Sequence, residues 1–334
     1  MRFLQFFILF YLINIINIKA QDYLANQLPQ KMTNDKYTFK LQWVDDFPDA
    51  FTNGRWAYAT WTFDNNLCEF RYDNILMTDN ALNLQITKKV DPSTTSYPDK
   101  PYWSGDVYSK EEYKYGRFIC RMKPNSPSGV ITSFFLIHID FDANWNPTEW
   151  REIDIEFVGT TEKVQFTLHW IDNGVHNQNP NTINLSIDVE NDYHTWIIEW
   201  TPEYIKYYLD GELLFTFDDP YLISQVSEGP QRIEFNYWVS SATSWAGEFD
   251  ESVLPIEASY DYIAYYSLDT TTTSIIETNN LESNKNILLK KANIEYYDIL
   301  GRRLSTPPKS NGVYFRVYKY QNKILKKEKF LIIN

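Results

Sequence analysis

Three carboxylates occupy alternate positions of one short segment, residues 150–159, which reads WREIDIEFVG. Glu152, Asp154 and Glu156 alternate there with two isoleucines and a phenylalanine. Because a β-strand projects successive side chains to opposite faces, the three carboxyls share one face and the apolar residues share the other. Like charges at this spacing repel each other, and burial raises the pKa of at least one. The pattern predicts a reactive site, with a solvated acidic strand face as the alternative.

The chemistry that this arrangement favours is cleavage of a glycosidic bond. A retaining glycosidase holds two carboxyls ~5–5.5 Å apart, one as nucleophile and one as acid/base. On a flat strand the α-carbons of Glu152 and Glu156 would be about 13 Å apart. The two side chains therefore converge only if the strand is curved. Asp154, between them, can hydrogen-bond a neighbouring carboxyl and set which group holds the proton.

The elements around this strand are predicted to be further strands. Residues 22–266 contain many short segments in which apolar and polar residues alternate, such as ALNLQI at 81–86 and GRFICRM at 116–122. Turn dipeptides separate them, including NG at 173–174 and DG at 210–211. No long segment has a helical period. We therefore predict an all-β domain, a sandwich or jelly roll.

The two ends of the chain differ from this body. Residues 1–20 have a positively charged start, an apolar run and a small residue at the end, which predicts a signal peptide and a secreted protein. No other segment is apolar enough to span a membrane. Residues 267–274 are polar and threonine-rich and indicate a linker. Residues 275–334 turn basic and predict a small β domain.

Charge and composition limit the kinds of ligand and macromolecule that the protein can bind. The chain has a net charge of −13, yet residues 267–334 carry 12 basic and 6 acidic side chains, leaving 19 and 38 for the remainder. An acidic body disfavours nucleic acid and anionic membranes and is compatible with a neutral polysaccharide. The four histidines lack the spacing of a zinc site, and the two cysteines, Cys68 and Cys120, permit one disulfide without requiring it. We expect a monomer that needs no cofactor for catalysis.

The segment EIDIEFVG resembles the catalytic signature of glycoside hydrolase family 16, and within that family the chain is most similar to bacterial lichenases, which cleave mixed-linkage β-1,3-1,4-glucan. The similarity covers roughly residues 43–266. Further matching segments follow in the family's order: WTFD at 61–64, SGDVY at 104–108, YGRF at 115–118, VQF at 164–166 and NYWVSS at 236–241. The family's laminarinase branch has one extra residue, a bulge, before the last glutamate. This chain lacks it, which favours the lichenase and xyloglucan side.

The resemblance implies a concanavalin-like curved β-jelly roll with an open cleft. It implies that Glu152 is the nucleophile, Glu156 the acid/base and Asp154 the assisting acid. Eight further residues match family positions that contact sugar: Trp61, Asp106, Tyr108, Phe135, Gln165, Asn236, Trp238 and Trp245. For each single aromatic residue among them, core packing is the alternative. Asp261 falls near a structural calcium position, with a solvated aspartate before a strand as the alternative.

Several residues depart from the lichenase pattern. Asp106 stands where glutamate is usual, Thr167 replaces a common asparagine, and Glu234 stands where one lichenase type has arginine. His169 and the following tryptophan have no evident lichenase counterpart. These departures leave the chemistry intact and bear on which glucan is preferred.

The tail has a resemblance of its own. YDILGRR, then NGVY, then a lysine-rich last segment look like the sorting domain of type 9 secretion cargo, which would make secretion machinery a partner. A small accessory β-sandwich, for instance for carbohydrate binding, is the alternative.

The function expected from the sequence is a secreted, retaining endo-β-glucanase that hydrolyses β-1,4 bonds in mixed-linkage glucan by double displacement. Two other activities of the same family, β-1,3-glucan hydrolysis and glucan transglycosylation, would use the same three carboxyls. A lectin on the same fold would be expected to lose one of the two glutamates, and both are present.

Overall fold

A computed structural model describes residues 28–47, 50–78, 81–91, 93, 95–269, 293–298, 303–304, 306, 312–320 and 323–332. The predicted signal peptide, residues 1–20, lies outside these residues, and so do residues 270–274 of the predicted linker. The contacts divide the chain into two compact units, the larger of which contains Phe39–Leu268. Within the described ranges, no helix has the length and apolar character needed to cross a membrane.

Strands dominate the part of the chain before residue 270. In chain order they are β1 (Lys31–Thr33), β2 (Thr38–Asp45), β3 (Trp56–Tyr58), β4 (Cys68–Phe70), β5 (Ile75–Thr78), β6 (Ala81–Lys88), β7 (Tyr102–Ser104), β8 (Asp106–Tyr113), β9 (Gly116–Lys123), β10 (Val130–Phe141), β11 (Pro147–Val158), β12 (Lys163–Asp172), β13 (Val175–Asn184), β14 (His194–Trp200), β15 (Ile205–Leu209), β16 (Glu212–Phe217), β17 (Gln231–Val239) and β18 (Ile256–Leu268). The helices are short: α1 (Pro220–Val226), α2 (Thr243–Ala246) and two 3₁₀ turns, Tyr72–Asn74 and Glu251–Val253.

These strands form two sheets that make a jelly-roll sandwich, as predicted. The first sheet has seven strands in the order β13-β12-β11-β10-β17-β8-β3. The second has eleven, eight of them in the order β16-β15-β14-β9-β18-β6-β7-β4, while β1 pairs with β2, β2 with β18 and β5 with β6. Strand β11, which carries the three carboxyls, is an interior strand of the first sheet and pairs with β10 and β12.

The core explains why β11 is held so firmly. Its apolar residues Ile153, Ile155 and Phe157 are fully buried in the main hydrophobic cluster. The ring of Phe157 meets Trp196 of β14 edge-on, with 5.2 Å between the ring centroids. Tyr260 of β18 donates a hydrogen bond of 2.9 Å to the backbone carbonyl of Ser133 in β10. One face of β11 is thus part of the core, and the carboxyls must point away from it.

Two predicted turns form as their sequences require. Asp210 and Gly211 join β15 to β16 with φ of 50° and 89°, and Asn173 and Gly174 join β12 to β13 with φ of 52° and 75°. Positive φ at both positions is typical of the two-residue turn whose twist matches that of the flanking strands. Cys68 and Cys120 are both buried and free.

The C-terminal unit is built of strands in its described parts. These are β19 (Asn293–Asp298), β20 (Arg303–Leu304), β21 (Gly312–Tyr320) and β22 (Lys323–Ile332), paired in the order β20-β19-β21-β22. This agrees with the predicted all-β module. Strand β18 runs to Leu268, whereas the sequence placed the end of the catalytic domain at 266, because the last residues of this strand still pair with β2 and β9.

Removing core volume beneath the carboxyls should destabilise the larger unit. Ile155→Ala deletes buried methyl groups directly behind the site, and we expect the free energy of unfolding to fall by about 2–5 kcal/mol. Urea unfolding followed by tryptophan fluorescence measures this change. Ile187→Ala, at a side chain that is 44% exposed, is the control and should change stability by less than ~0.5 kcal/mol. Equal effects of the two variants would contradict the packing described here.

Candidate active site

Glu152, Asp154 and Glu156 lie on the outer face of the seven-stranded sheet, the face turned away from the core. Strand alternation puts them there, since Ile153 and Ile155 face inward. Asp154 is 2% exposed, whereas both glutamates remain partly accessible. The carboxyls are therefore flanked on both sides by neighbouring strands yet open to a ligand from above.

The register across this segment is regular. Ile137 of β10 pairs with Glu152, Phe135 with Asp154 and Ser133 with Glu156, and the register first shifts beyond them, at Asp140/Phe141. There is accordingly no bulge between the two glutamates, as the sequence predicted. All three carboxyls keep the same orientation relative to the sheet.

Glu152 and Asp154 each have a nitrogen-bearing ring close by. The indole Nε1 of Trp150 donates a hydrogen bond of 2.5 Å to Oε2 of Glu152. His169 Nε2 lies 3.3 Å from Oδ2 of Asp154, and β12 pairs His169 directly with Glu152. The Trp150 hydrogen bond favours negative charge on Glu152 and limits where its side chain can turn. His169 is a close neighbour of Asp154 and makes no hydrogen bond to it.

Glu156 is held by a separate chain of hydrogen bonds. Gln165, its partner in β12, donates from Nε2 to Oε2 of Glu156 at 3.2 Å and to Oγ1 of Thr167 at 3.0 Å. The indole Nε1 of Trp245 in turn donates to Oε1 of Gln165 at 3.3 Å. The predicted binding residues Gln165 and Trp245 thus meet Glu156 in one network.

The pKa of each carboxyl is raised, chiefly by burial. For Glu152 the second cause is the charge of Asp154, partly offset by His169 and by the Trp150 donor. For Asp154 the second cause is the charge of Glu156. The pKa of Glu156 is raised by burial and lowered by His169, Gln165 and Thr167. Because burial disfavours the charged form of each carboxyl, all three bind protons more tightly than solvent-exposed carboxyls do.

A second group of polar residues lies on the same face, on β17 and β8, which are two and three strands away from β11. Asp106 of β8 pairs with Asn236 of β17, and Asn236 pairs with Ser133. Burial and the neighbouring carboxylate of Glu234 raise the pKa of Asp106 well above its usual value. Arg232 donates from Nε to Oε2 of Glu234 at 2.6 Å, and its guanidinium lies 4.7 Å from the ring of Tyr108. The predicted residues Asp106, Tyr108 and Asn236 are therefore brought together.

The predicted aromatic residues divide into exposed and packed ones. Trp61 and Trp245 are 40% and 41% exposed and can stack on a sugar ring. Trp238 is 6% exposed and meets Phe63 edge-on at a centroid distance of 4.9 Å. Phe135 is 5% exposed and pairs with Asp154. Trp238 thus packs in the core, Phe135 lies on the same face of the sheet as Asp154, and Trp61 and Trp245 keep an open face.

Sequence reasoning missed three residues of this site: Trp150, His169 as a neighbour of Asp154, and His176. Trp150 continues the alternation of the carboxyls and so shares their face. His169 Nδ1 lies 3.0 Å from His176 Nε2 in the adjacent strand. The available signal was the alternation along β12, where His169 follows Gln165 and Thr167 at two-residue spacing and therefore shares their face.

Two sets of side chains bring metal-ligating atoms within 4.8 Å of one another among the described residues. One consists of His138, Asp140 and Glu149 at the surface, and the other of Glu152, Asp154 and His169. The second set contains two of the three clustered carboxyls together with His169. Sequence spacing did not predict either set, because each combines residues of different strands.

Asp261, the predicted calcium position, is in strand β18. Its carboxylate is paired with the guanidinium of Arg121, which also lies 4.9 Å from the ring of Tyr193. A cation bound to Asp261 would have to displace this positive charge. Calcium binding here stays a prediction that the contacts of Asp261 do not favour.

Paired carboxyls with raised pKa on the open face of a β-sandwich are typical of the active site of a glycoside hydrolase. This is the class of protein that the fold and the site define. Comparison with known proteins then gives the family. Residues 60–263 match the glycosyl hydrolases family 16, and the chain belongs to this family.

Individual relatives agree with this assignment. A β-glucanase of Brevibacillus brevis is 32% identical over 223 residues, covering 66% of this chain and 80% of that protein. A β-glucanase of Bacillus subtilis is 32% identical over 222 residues, covering 65% and 83%. The crystal structure of a β-1,3-1,4-glucanase (lichenase) from a mouse hindgut metagenome superposes with a TM-score of 0.56 at 30% identity, covering 67% of this chain and 97% of that one.

Neutralising Asp154 should stabilise the protein at neutral pH. Its pKa is raised above the usual 3.8, so the folded state binds its proton more tightly, and the stability from this group is lost as pH rises through the folded-state pKa. Asp154→Asn removes that loss. We expect a higher unfolding free energy than wild type at pH ~8 and a smaller difference at pH ~4.5. Thermal unfolding at the two pH values measures it. A variant less stable at the higher pH would contradict the raised pKa.

Proposed function

We propose that the protein is a retaining endo-β-glucanase that hydrolyses β-1,4 bonds in mixed-linkage β-1,3-1,4-glucan. The observation that carries this is the uninterrupted register from Glu152 to Glu156, which places two glutamates and an aspartate on one open strand face. Two relatives that are 32% identical in sequence are β-glucanases, and a solved relative at 30% identity is a lichenase.

The contacts support a distinct role for each carboxyl. Glu152, which accepts from Trp150, acts as the nucleophile. Glu156, which accepts from Gln165 and is thereby held separately from Glu152, acts as the acid/base. Asp154, the most buried of the three, takes up a proton so that Glu152 can ionise beside it.

The reaction proceeds by double displacement. The Glu152 carboxylate forms a bond to the anomeric carbon as the glycosidic C–O bond breaks, and the Glu156 proton passes to the departing oxygen. In the second step a water loses its proton to Glu156 and attacks the anomeric carbon, and the ester bond to Glu152 breaks. The two inversions together retain the anomeric configuration.

The electrostatics of the outer face support a neutral substrate. Five carboxyls line it on β11, β8 and β17, namely Glu152, Asp154, Glu156, Asp106 and Glu234. Arg232 is committed to Glu234. These carboxyls can accept hydrogen bonds from the hydroxyls of a neutral glucan, and they offer no positive charge to a sulfated or uronic-acid glycan.

We also propose that the enzyme acts outside the cell. The apolar run at residues 1–20 supports a signal peptide. The C-terminal residues form a separate compact unit built of strands, and such a unit is compatible with either of two roles, secretion sorting or carbohydrate binding. A fusion of residues 275–334 to a reporter, followed through cell fractionation, distinguishes the two roles.

A substrate panel tests the proposed preference. The purified enzyme should release reducing ends from barley β-glucan and lichenan faster than from laminarin or xyloglucan. Glu152→Gln should lower kcat by ~10³-fold or more, since it removes the nucleophile. Glu149→Gln, an exposed glutamate of the same strand, is the control and should stay within about 2-fold. A higher rate on laminarin would overturn the mixed-linkage assignment while leaving the family intact.

The stereochemical outcome tests the assignment of Glu152. The anomer formed first, followed by proton NMR during early hydrolysis, should have the β configuration of the bond that is cleaved. The reason is that the glycosyl ester on Glu152 inverts the centre once and water inverts it again. Initial appearance of the α anomer would show a single displacement and reject Glu152 as the nucleophile.

A further inference from the structure

His176 lies on β13, the edge strand of the seven-stranded sheet, and its backbone pairs with Ile171 of β12. It is outside the three-carboxyl segment and outside the residues predicted from the sequence. Its imidazole nevertheless contacts side chains from the next two strands of the sheet, His169 of β12 and Trp150 of β11. Each of these side chains contacts a different carboxyl.

The first contact leads to Glu152. The rings of His176 and Trp150 stack with 4.3 Å between their centroids and 17° between their planes. Trp150 uses its Nε1 to hydrogen-bond Glu152 at 2.5 Å. Because an indole that donates to a carboxylate must keep its plane, a ring stacked against it restricts where that hydrogen bond can point.

The second contact leads to Asp154. His176 Nε2 lies 3.0 Å from His169 Nδ1, and His169 Nε2 lies 3.3 Å from Asp154 Oδ2. The two imidazoles are nearly parallel, 5° apart. Either imidazole can donate across the 3.0 Å contact, according to its tautomer. Burial and the neighbouring His169 lower the pKa of His176, which favours the neutral form of His176.

We propose that His176 is a positioning residue that orients the nucleophile through Trp150 and the assisting acid through His169. This inference rests on the proposed function in that Glu152 and Asp154 act in bond cleavage. His176 touches neither carboxyl itself. By joining both contacts in one ring, it fixes the two carboxyls relative to each other.

Two substitutions separate the contacts. His176→Phe keeps a ring against Trp150 and removes the nitrogen that meets His169. His176→Gln keeps an amide donor for His169 and removes the stacked ring. His176→Ala removes both. His194→Gln is the matched control, since His194 lies in β14 of the other sheet, where its Nδ1 meets Asp210 at 2.7 Å.

The measurement is kcat and KM on the β-glucan that the wild type cleaves fastest, together with the thermal midpoint of each variant. We expect kcat to fall ~10-fold in His176→Phe and in His176→Gln and more in His176→Ala, because misplaced reacting groups slow the chemical step. KM should stay within about 2-fold. Added imidazole should restore part of the kcat of His176→Ala, which a merely structural role would not produce.

The contrary outcomes are distinct. Unchanged kcat in His176→Ala, or a loss confined to KM, would overturn the positioning role, the latter by showing a substrate contact. A loss of kcat that follows the thermal midpoint and resists imidazole would also overturn it. Failure of the proposed function would appear in the wild type, as absent cleavage of mixed-linkage glucan, whereas failure of this inference appears only in the ratio of variant to wild type.

Discussion

The burial of three carboxyls side by side on one strand is the constraint on which the rest of this structure depends. Desolvation and mutual repulsion both disfavour their charged forms, and the raised pKa of each is the outcome. Such a cluster persists only if the backbone beneath it cannot relax away. Ile153, Ile155 and Phe157 supply that restraint, because turning the carboxyls outward would turn these three side chains out of the core.

Donors around the cluster then decide how its protons are shared. Glu152 receives an indole N–H, Asp154 lies beside an imidazole, and Glu156 receives an amide. Trp150 belongs to β11 itself, whereas His169 and Gln165 come from β12, so the pairing register of the two strands sets two of the three contacts. An extra residue between Glu152 and Glu156 would move one glutamate relative to its donor. The regular register is therefore as much a part of the site as the carboxyls are.

The sequence predicted what depends on a single strand. Alternation placed the carboxyls on one face, and paired turn residues at 173–174 and 210–211 marked the hairpins. It did not predict what depends on which strands are neighbours. His176 is 20 residues beyond Glu156 in the chain, and its contacts with Trp150 and His169 exist because β13 pairs with β12 and β12 with β11. The family resemblance named Gln165 and Trp245 but could not show that they share one hydrogen-bond chain to Glu156.

The residues that depart from the lichenase pattern also lie on other strands than the three carboxyls. The carboxyls of β11 define the bond chemistry, and their contacts lie on β11 and β12. Two departures from the lichenase pattern lie on β8 and β17. Asp106 and Glu234 are close neighbours there, and Arg232 forms an ion pair with Glu234. Arg232 donates to Glu234, and Asp106 is fully buried beside this pair. Strand β10 separates these residues from β11, so a substitution among them can leave the three carboxyls undisturbed.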